Sequence, residues 1–151
     1  MNKNFIPKKL YRKIVNLVPI CWVDLVIKKG NSFLLVKRLE KPVKGKWWFP
    51  GGRVYWGETL IQTAKRKLKE ELNIKSFPKI KFLGVQELSY KKGIYNQPMF
   101  GIANVFLVGL KEKDCTNIQV DKTSAGYEWF KKIEKGSSPY LKKFLKLSSF
   151  K

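Results

Sequence analysis

One amphipathic helix, set among short apolar runs that read as strands, is the pattern that most restricts what this chain can fold into. From Glu58 to Leu72, the residues Leu60, Ala64, Leu68 and Leu72 recur at every fourth position, with Ile61 beside them. A helix with that spacing has one apolar face and needs a surface to cover. The flanking runs supply one. Ile20–Ile27, Phe33–Val36, Trp47–Phe49, Lys79–Ser89, Met99–Leu110 and Tyr127–Phe130 are rich in β-branched and aromatic residues, which favours strands. The turn Lys28–Ser32 joins the first two as a hairpin, and Pro50-Gly51-Gly52 closes the third. Two more helices are expected at the ends. One covers 7–18, between Pro7 and Pro19, and the other covers 138–150, opened by Ser138-Pro139. The expectation is one α/β domain over 1–151 with a mixed sheet, not a run of βαβ units.

The chain has 151 residues with 32 Lys and Arg against 11 Asp and Glu, a formal charge of +21, and no histidine. Without imidazole, a Ser-His-Asp triad, a Cys-His pair and His-ligated zinc are excluded. The cationic excess fits an anionic partner such as a nucleotide, a nucleic acid or an acidic membrane face. It equally fits a lysine-rich background, because the lysines are spread along the chain. No run approaches a membrane-spanning length, and Cys21 and Cys115 form no CxxC pair. Both observations agree with a cytoplasmic setting and no membrane partner.

The carboxylates are not spread so evenly. Glu58, Glu70 and Glu71 follow the Gly51-Gly52 turn within one helical segment. On a helix, Lys67, Glu70 and Glu71 share a flank beside the apolar stripe. Adjacent carboxylates next to a glycine turn suit Mg²⁺ or Mn²⁺, which take oxygen ligands from carboxylates, loop carbonyls and phosphates. The same spacing also describes a solvated face with an i, i+4 pair between Lys67 and Glu71.

Residues 52–74 resemble the Nudix box, Gly-x5-Glu-x7-Arg-Glu-U-x-Glu-Glu-x-Gly-U, where U is aliphatic. Gly52, Glu58, Arg66, Leu68, Glu70, Glu71 and Ile74 match in register, while Lys67 replaces a glutamate and Asn73 a glycine. The resemblance implies a Nudix-type α/β/α sandwich and hydrolysis of a nucleoside diphosphate linked to another group. It implies Glu70, Glu71 and the Gly52 turn as ligands of Mg²⁺ or Mn²⁺, with Glu58 and Arg66 bracing the loop against the helix. A cation at position 67 should remove one ligand and repel additional metal ions.

Outside the box, the chain is similar to the GDP-mannose mannosyl hydrolase branch. The shared features are Val18-Pro19-x4-Asp24, Leu34-Leu-x-Lys-Arg38, Lys41-Pro-Val…Gly45-x-Trp-Trp48, Pro50-Gly-Gly-Arg53-Val54, Gly84-Val85 and Tyr127-x-Trp129. The likeness implies release of GDP and sugar from a nucleotide sugar. It implies Arg38 and Arg53 as catalytic clamps on the diphosphate, Asp24 as a substrate-binding or loop-orienting residue, and a homodimer by analogy. Trp47, Trp48, Tyr55 and Trp56 are candidates for a base-stacking wall. The branch's general-base histidine falls on Ser124, so Asp121 in the same loop becomes the candidate base, with Glu87 second. Two alternatives follow: a Nudix pyrophosphohydrolase attacking phosphorus, or a weakly catalytic Nudix-fold protein that binds nucleotide or RNA.

Overall fold

The computed structural model describes residues 5–76 and 78–149. The expectations for residues 1–4, Phe77 and 150–151 lie outside them. In chain order the elements are α1 (Lys8–Leu17), β1 (Ile20–Lys29), β2 (Ser32–Arg38), β3 (Trp47–Trp48), β4 (Gly51–Arg53), α2 (Leu60–Leu72), β5 (Ile80–Tyr90), β6 (Met99–Gly109), β7 (Ser124–Phe130) and α3 (Pro139–Leu147). Short 3₁₀ turns occupy Ile94–Asn96 and Glu112–Cys115.

The central strand β1 organises the sheet. It lies parallel to β6 along nine register pairs, Ile20↔Gly101 through Lys28↔Gly109. Its other edge is shared: the N-terminal part pairs with β4, and the end at Ile27–Lys29 pairs with β2. All the other strand pairs are antiparallel, including β2 with β3 and β7, and β5 with β6. The sheet is therefore mixed, as expected.

Alternation along β1 sorts the core into two layers. Val23, Leu25 and Ile27 point to the face covered by Ala64, Leu68 and Leu72 of α2. Trp22 and Val26 point the other way, toward Tyr140, Leu141, Phe144 and Leu145 of α3. Helices on both faces of a mixed sheet make an α/β/α sandwich. Asp24 has the parity of Trp22 and Val26, so it projects into the α3 layer.

The helix ends differ from the periodicity for local reasons. α2 starts at Leu60 because Thr59 caps it. Thr59 Oγ1 accepts from Gln62 N at 3.2 Å, and Gln62 Oε1 accepts from Thr59 N at 2.8 Å. Glu58 is thereby left in the loop. α3 stops at Leu147, short of the expected 150. Ser148 Oγ donates back to the Leu145 carbonyl at 2.7 Å, and Ser149 takes a left-handed φ of 62°.

Asn73 explains its own departure from the box. It has φ 56° and ψ 25°, its N–H donates to Leu68 and Lys69 carbonyls, and its Nδ2 donates to Asn117 O at 3.2 Å. Asparagine tolerates this left-handed position where most residues do not. Asn73→Ala should cost about 1 kcal/mol in urea unfolding, and Asn73→Gly clearly less. Equal losses in both variants would refute the role assigned to the left-handed cap.

Candidate functional site

The site is assembled where β4, two glycines and one arginine long, is wedged between β1 and α2. Gly51 pairs with Asp24 and Gly52 with Val23. A Cβ on Gly51 would run into the Val23 carbonyl and the Asp24 carboxylate, and one on Gly52 would lie 2.7 Å from Lys67 Cε. At Gly51 the obstacle is backbone, so only glycine allows so close an approach to β1; at Gly52 it is the flexible end of Lys67.

The loop from Arg53 to Thr59 is tied down by an ion pair. Arg66 donates Nε to Glu58 Oε1 at 2.7 Å and Nη2 to Glu58 Oε2 at 2.8 Å. The same Nη2 reaches the Arg53 carbonyl at 2.8 Å. Glu58 Oε2 also accepts from Tyr55 N and Thr63 Oγ1. The Arg66 guanidinium lies 3.7 Å from the Tyr55 ring centroid. With Arg66 as the main cause, Glu58 is held down to about 2. The stabilisation from this shift is complete above the ordinary carboxylate range and is lost as pH falls toward 2.

Glu71 continues the connection deeper into the molecule. It is 3% exposed, and its Oε2 accepts from the Gly51 N–H at 3.1 Å. Its Oε1 lies 2.7 Å from Lys67 Nζ. Lys67 Nζ is also 3.4 Å from Glu70 Oε2, which Arg66 Nη1 approaches at 3.1 Å. Burial pushes the Glu71 pKa up, while the Lys67 charge opposes the shift. The two carboxylates implied as metal ligands are thus side by side, each engaged by a cation of the protein itself. Among the described residues, no group of three Asp, Glu, Cys or His side chains is gathered to hold a metal ion. With Lys67 in this position, the donor set does not fit a resident divalent ion.

Beside this cluster a cavity opens on the α3 side of the sheet. Asp24, Arg38, Arg53, Lys41, Gly51 and Gly52 line it, together with Tyr11, Trp48 and Tyr90. Asp24 is 5% exposed and accepts from Tyr140 Oη at 2.7 Å and Trp22 Nε1 at 3.3 Å. Burial outweighs these hydrogen bonds, and its carboxyl is pushed up to about 7. Burial likewise raises the phenol pKa values of Tyr90 and Tyr140. The Arg53 guanidinium stands 5.2 Å from the Tyr11 ring centroid and 4.9 Å from that of Tyr55. Glu40 lines the cleft too, and Lys41 Nζ donates to Asn96 Oδ1 at 2.6 Å, so the two arginines beside the backbone glycines are the groups suited to an anion with several oxygens.

A model of the NUDIX domain matches residues 22–142 of the chain. The chain belongs to the Nudix family. It is 32% identical over 144 residues to the low-salt glycan biosynthesis protein Agl8 of Haloferax volcanii, covering 93% of this chain and 88% of that protein. It is 37% identical over 98 residues to the ADP-ribose pyrophosphatase of Methanocaldococcus jannaschii, an alignment that covers 64% of this chain and about half, 52%, of that enzyme. The crystal structure of a MutT NUDIX hydrolase from Burkholderia pseudomallei superposes with a TM-score of 0.71 at 22% identity, covering 86% of this chain and 98% of that one. That likeness supports the fold.

Within this Nudix domain the predicted site residues divide. Asp24, Arg38, Arg53 and Gly52 line the cavity. Glu71 lies behind it on the Gly51 N–H, Glu70 is exposed on α2 and paired with Arg66 and Lys67, and Glu58 and Arg66 form the brace. Asp121 does not join them. Its Oδ1 accepts from Thr123 N at 2.9 Å and Thr123 Oγ1 at 2.6 Å, which closes its own turn. Glu87 is an exposed residue of β5. Ser124 pairs with Arg38 across a bulge, and its buried Oγ has no hydrogen-bond partner.

The proposed aromatic wall is divided as well. Trp47 packs edge-on to Phe130 and Trp48 stacks on Tyr140, whereas Trp56 is 72% exposed. Of the four, only Trp48 lines the cavity. Tyr140, Tyr90 and Tyr11 escaped the sequence reading. Tyr11 and Tyr140 lie on amphipathic helices, and Tyr90, which the sequence places in the polar turn Tyr90–Pro98, is the last residue of β5; only Asp24 in an apolar strand hinted that a donor was needed.

Two outcomes follow. Arg66→Ala should lower the unfolding free energy by about 2–3 kcal/mol at pH 7, because it leaves Glu58 without its charged donor. The loss should shrink as pH falls from 4.5 toward 2, and a pH-independent loss would contradict the pairing. For Asp24 the sign is opposite. A raised native pKa makes the ionised carboxylate a cost that grows as pH rises from about 4 to about 7. Asp24→Asn should therefore melt higher than the parent at pH 8.5, with the gap closing at pH 4. A lower melting temperature at pH 8.5 would count against this account.

Proposed function

We propose that this protein is a Nudix hydrolase of nucleoside diphosphate sugars, releasing a nucleoside diphosphate and a sugar, as GDP-mannose would. One observation carries the reading: Arg38, Arg53 and Lys41 face a cavity floored by the Gly51–Gly52 strand, with one buried carboxylate, Asp24, inside it. A diphosphate offers oxygens to both guanidiniums, and the glycine backbone lets it come close. The glycan-biosynthesis relative and the ADP-ribose pyrophosphatase support a substrate with a sugar joined to a diphosphate.

In this reading Arg38 and Arg53 bind the diphosphate and stabilise the charge that develops as it leaves. Asp24, raised by burial to about 7 and so partly ionised at neutral pH, accepts a proton from the attacking water in its carboxylate form, a task for which Ser124 has no suitable group, while Asp121 accepts from its own Thr123. Tyr140 and Trp22 orient the Asp24 carboxylate. Nudix hydrolases generally use divalent metals such as Mg²⁺ or Mn²⁺; here the Lys67 ammonium lies between the two box carboxylates, Glu70 and Glu71. Attack at phosphorus is the second reading, and both Glu70 and the pyrophosphatase relative favour it.

Hydrolysis of GDP-mannose and ADP-ribose in ¹⁸O-water separates the two readings. Label in the released sugar is expected; label in a phosphate product would move the attack to phosphorus. Failure to turn over any nucleoside diphosphate sugar, with Mg²⁺ or Mn²⁺ supplied, would overturn the proposal. Arg38→Ala or Arg53→Ala should lower kcat/KM on the order of 10- to 100-fold, the range for losing a charge-assisted bond.

A further inference from the structure

We infer that the Lys67 ammonium is a tethered cation that occupies the divalent-metal position of this site, so that a metal ion binds only by displacing it. The inference deepens the functional reading above, since it rests on the Gly51–Glu71 region being the diphosphate-handling part of the molecule.

Three observations meet at this one side chain. Lys67 Nζ lies 2.7 Å from Glu71 Oε1 and 3.4 Å from Glu70 Oε2, between the two carboxylates that the box would offer to a metal. The side chain is only 13% exposed, so the ammonium is held there rather than waving in solvent. Its aliphatic stem packs against Gly52, where a Cβ would come within 2.7 Å of Lys67 Cε and 3.1 Å of Nζ. The missing Cβ of Gly52 is the cradle that lets the lysine lie along the floor of the site.

Charge explains why the arrangement is stable and why it competes with metal. Glu71 is almost fully buried, and an ionised carboxylate there needs a counter-charge. Elsewhere a divalent ion can meet that need; here the chain carries its own. The Gly51 N–H engages the other Glu71 oxygen at 3.1 Å, so each oxygen of Glu71 already has a donor of the protein, and the one nearest the ammonium is the one a metal would have to contest. Two like charges cannot share the space, since an ammonium within 3 Å of a carboxylate oxygen repels any divalent ion approaching the same atom. A bound ion would have to push Lys67 off Glu71 and away from Gly52.

Direct Mn²⁺ binding, followed by the electron paramagnetic resonance signal of the free ion, tests this without substrate. At pH 7.5, Lys67→Met and Lys67→Gln should each bind Mn²⁺ about tenfold or more tighter than the parent. Both keep an unbranched stem against Gly52. Lys69→Met, which removes the same unit of charge from an exposed position on α2, should change the affinity less than about twofold. Adding Glu71→Gln to Lys67→Met should abolish the gain.

Equal affinity in the parent and both position-67 variants would overturn the inference, as would a gain that survives Glu71→Gln or that Lys69→Met reproduces. Loss of a cooperative thermal transition in both position-67 variants would also overturn it, because the lysine would then be a fixed part of the fold and not an exchangeable occupant. The two claims can fail separately. A protein inert toward every nucleoside diphosphate sugar, yet with the predicted Mn²⁺ pattern, defeats the functional reading alone. An active hydrolase whose parent already binds Mn²⁺ as tightly as Lys67→Met defeats this inference alone.

Discussion

Everything at the site depends on how closely β4 is pressed between β1 and α2. The hydrogen bond from Gly51 N–H to the buried Glu71 carboxylate, 20 residues further along, is the contact that joins the strand to the helix. Arg66 makes a second join by reaching both Glu58 and the Arg53 carbonyl. Between these two ties the backbone from Gly51 to Arg53 cannot retreat from β1, and so Arg53 is delivered to the same cavity as Arg38 on β2 and Asp24 on β1. Gly51 is the condition for this approach to β1, and the polar ties lock it.

That arrangement places buried negative charge close to cations in a molecule that has far more cations than anions. Glu71 is compensated by Lys67, and Glu58 by Arg66. Asp24 has neutral donors, Tyr140 and Trp22, as its direct partners and is accordingly the carboxyl most easily kept protonated. The contrast gives the three acids separate tasks. Glu58 fastens a loop and Glu71 anchors a strand, while burial raises the Asp24 carboxyl to about 7. Arg38 and Arg53 both line the cavity that holds Asp24. The net charge of +21 thus has a local component with a defined geometry, while most of the lysines lie outside it.

Much of the architecture was legible in the sequence, because it follows from periodicity. The four-residue stripe from Leu60 to Leu72 and the alternation along β1 announce a helix and the strand it covers. The glycine pair and Glu58, Glu70 and Glu71 were readable as a box because they are close in sequence. What stayed hidden was long-range. Tyr140 meets Asp24 across 116 residues, and a tyrosine in an amphipathic helix gives no sign of such a partner. The register bulge that pairs Ser124 with Arg38 starts β7 three residues before the aromatic run suggests. Asp121 was a reasonable base from its place in the loop, but its carboxylate satisfies Thr123. Lys67 was visible as an oddity of charge; that it would lie along Gly52, pointing inward, is settled by packing that no spacing rule encodes.

The central claim is that Asp24, Arg38, Arg53 and the Gly51–Gly52 strand form one site for a nucleoside diphosphate sugar. It is tested most directly by titrating GDP-mannose and ADP-ribose into the ¹⁵N-labelled protein and following the backbone amides and arginine Nε–H signals by NMR. The account predicts saturable shifts concentrated at Gly51, Gly52, Arg53 and Arg38, with the Arg66 Nε–H signal, locked on Glu58, barely moved. Shifts centred elsewhere, or none at millimolar ligand, would contradict it.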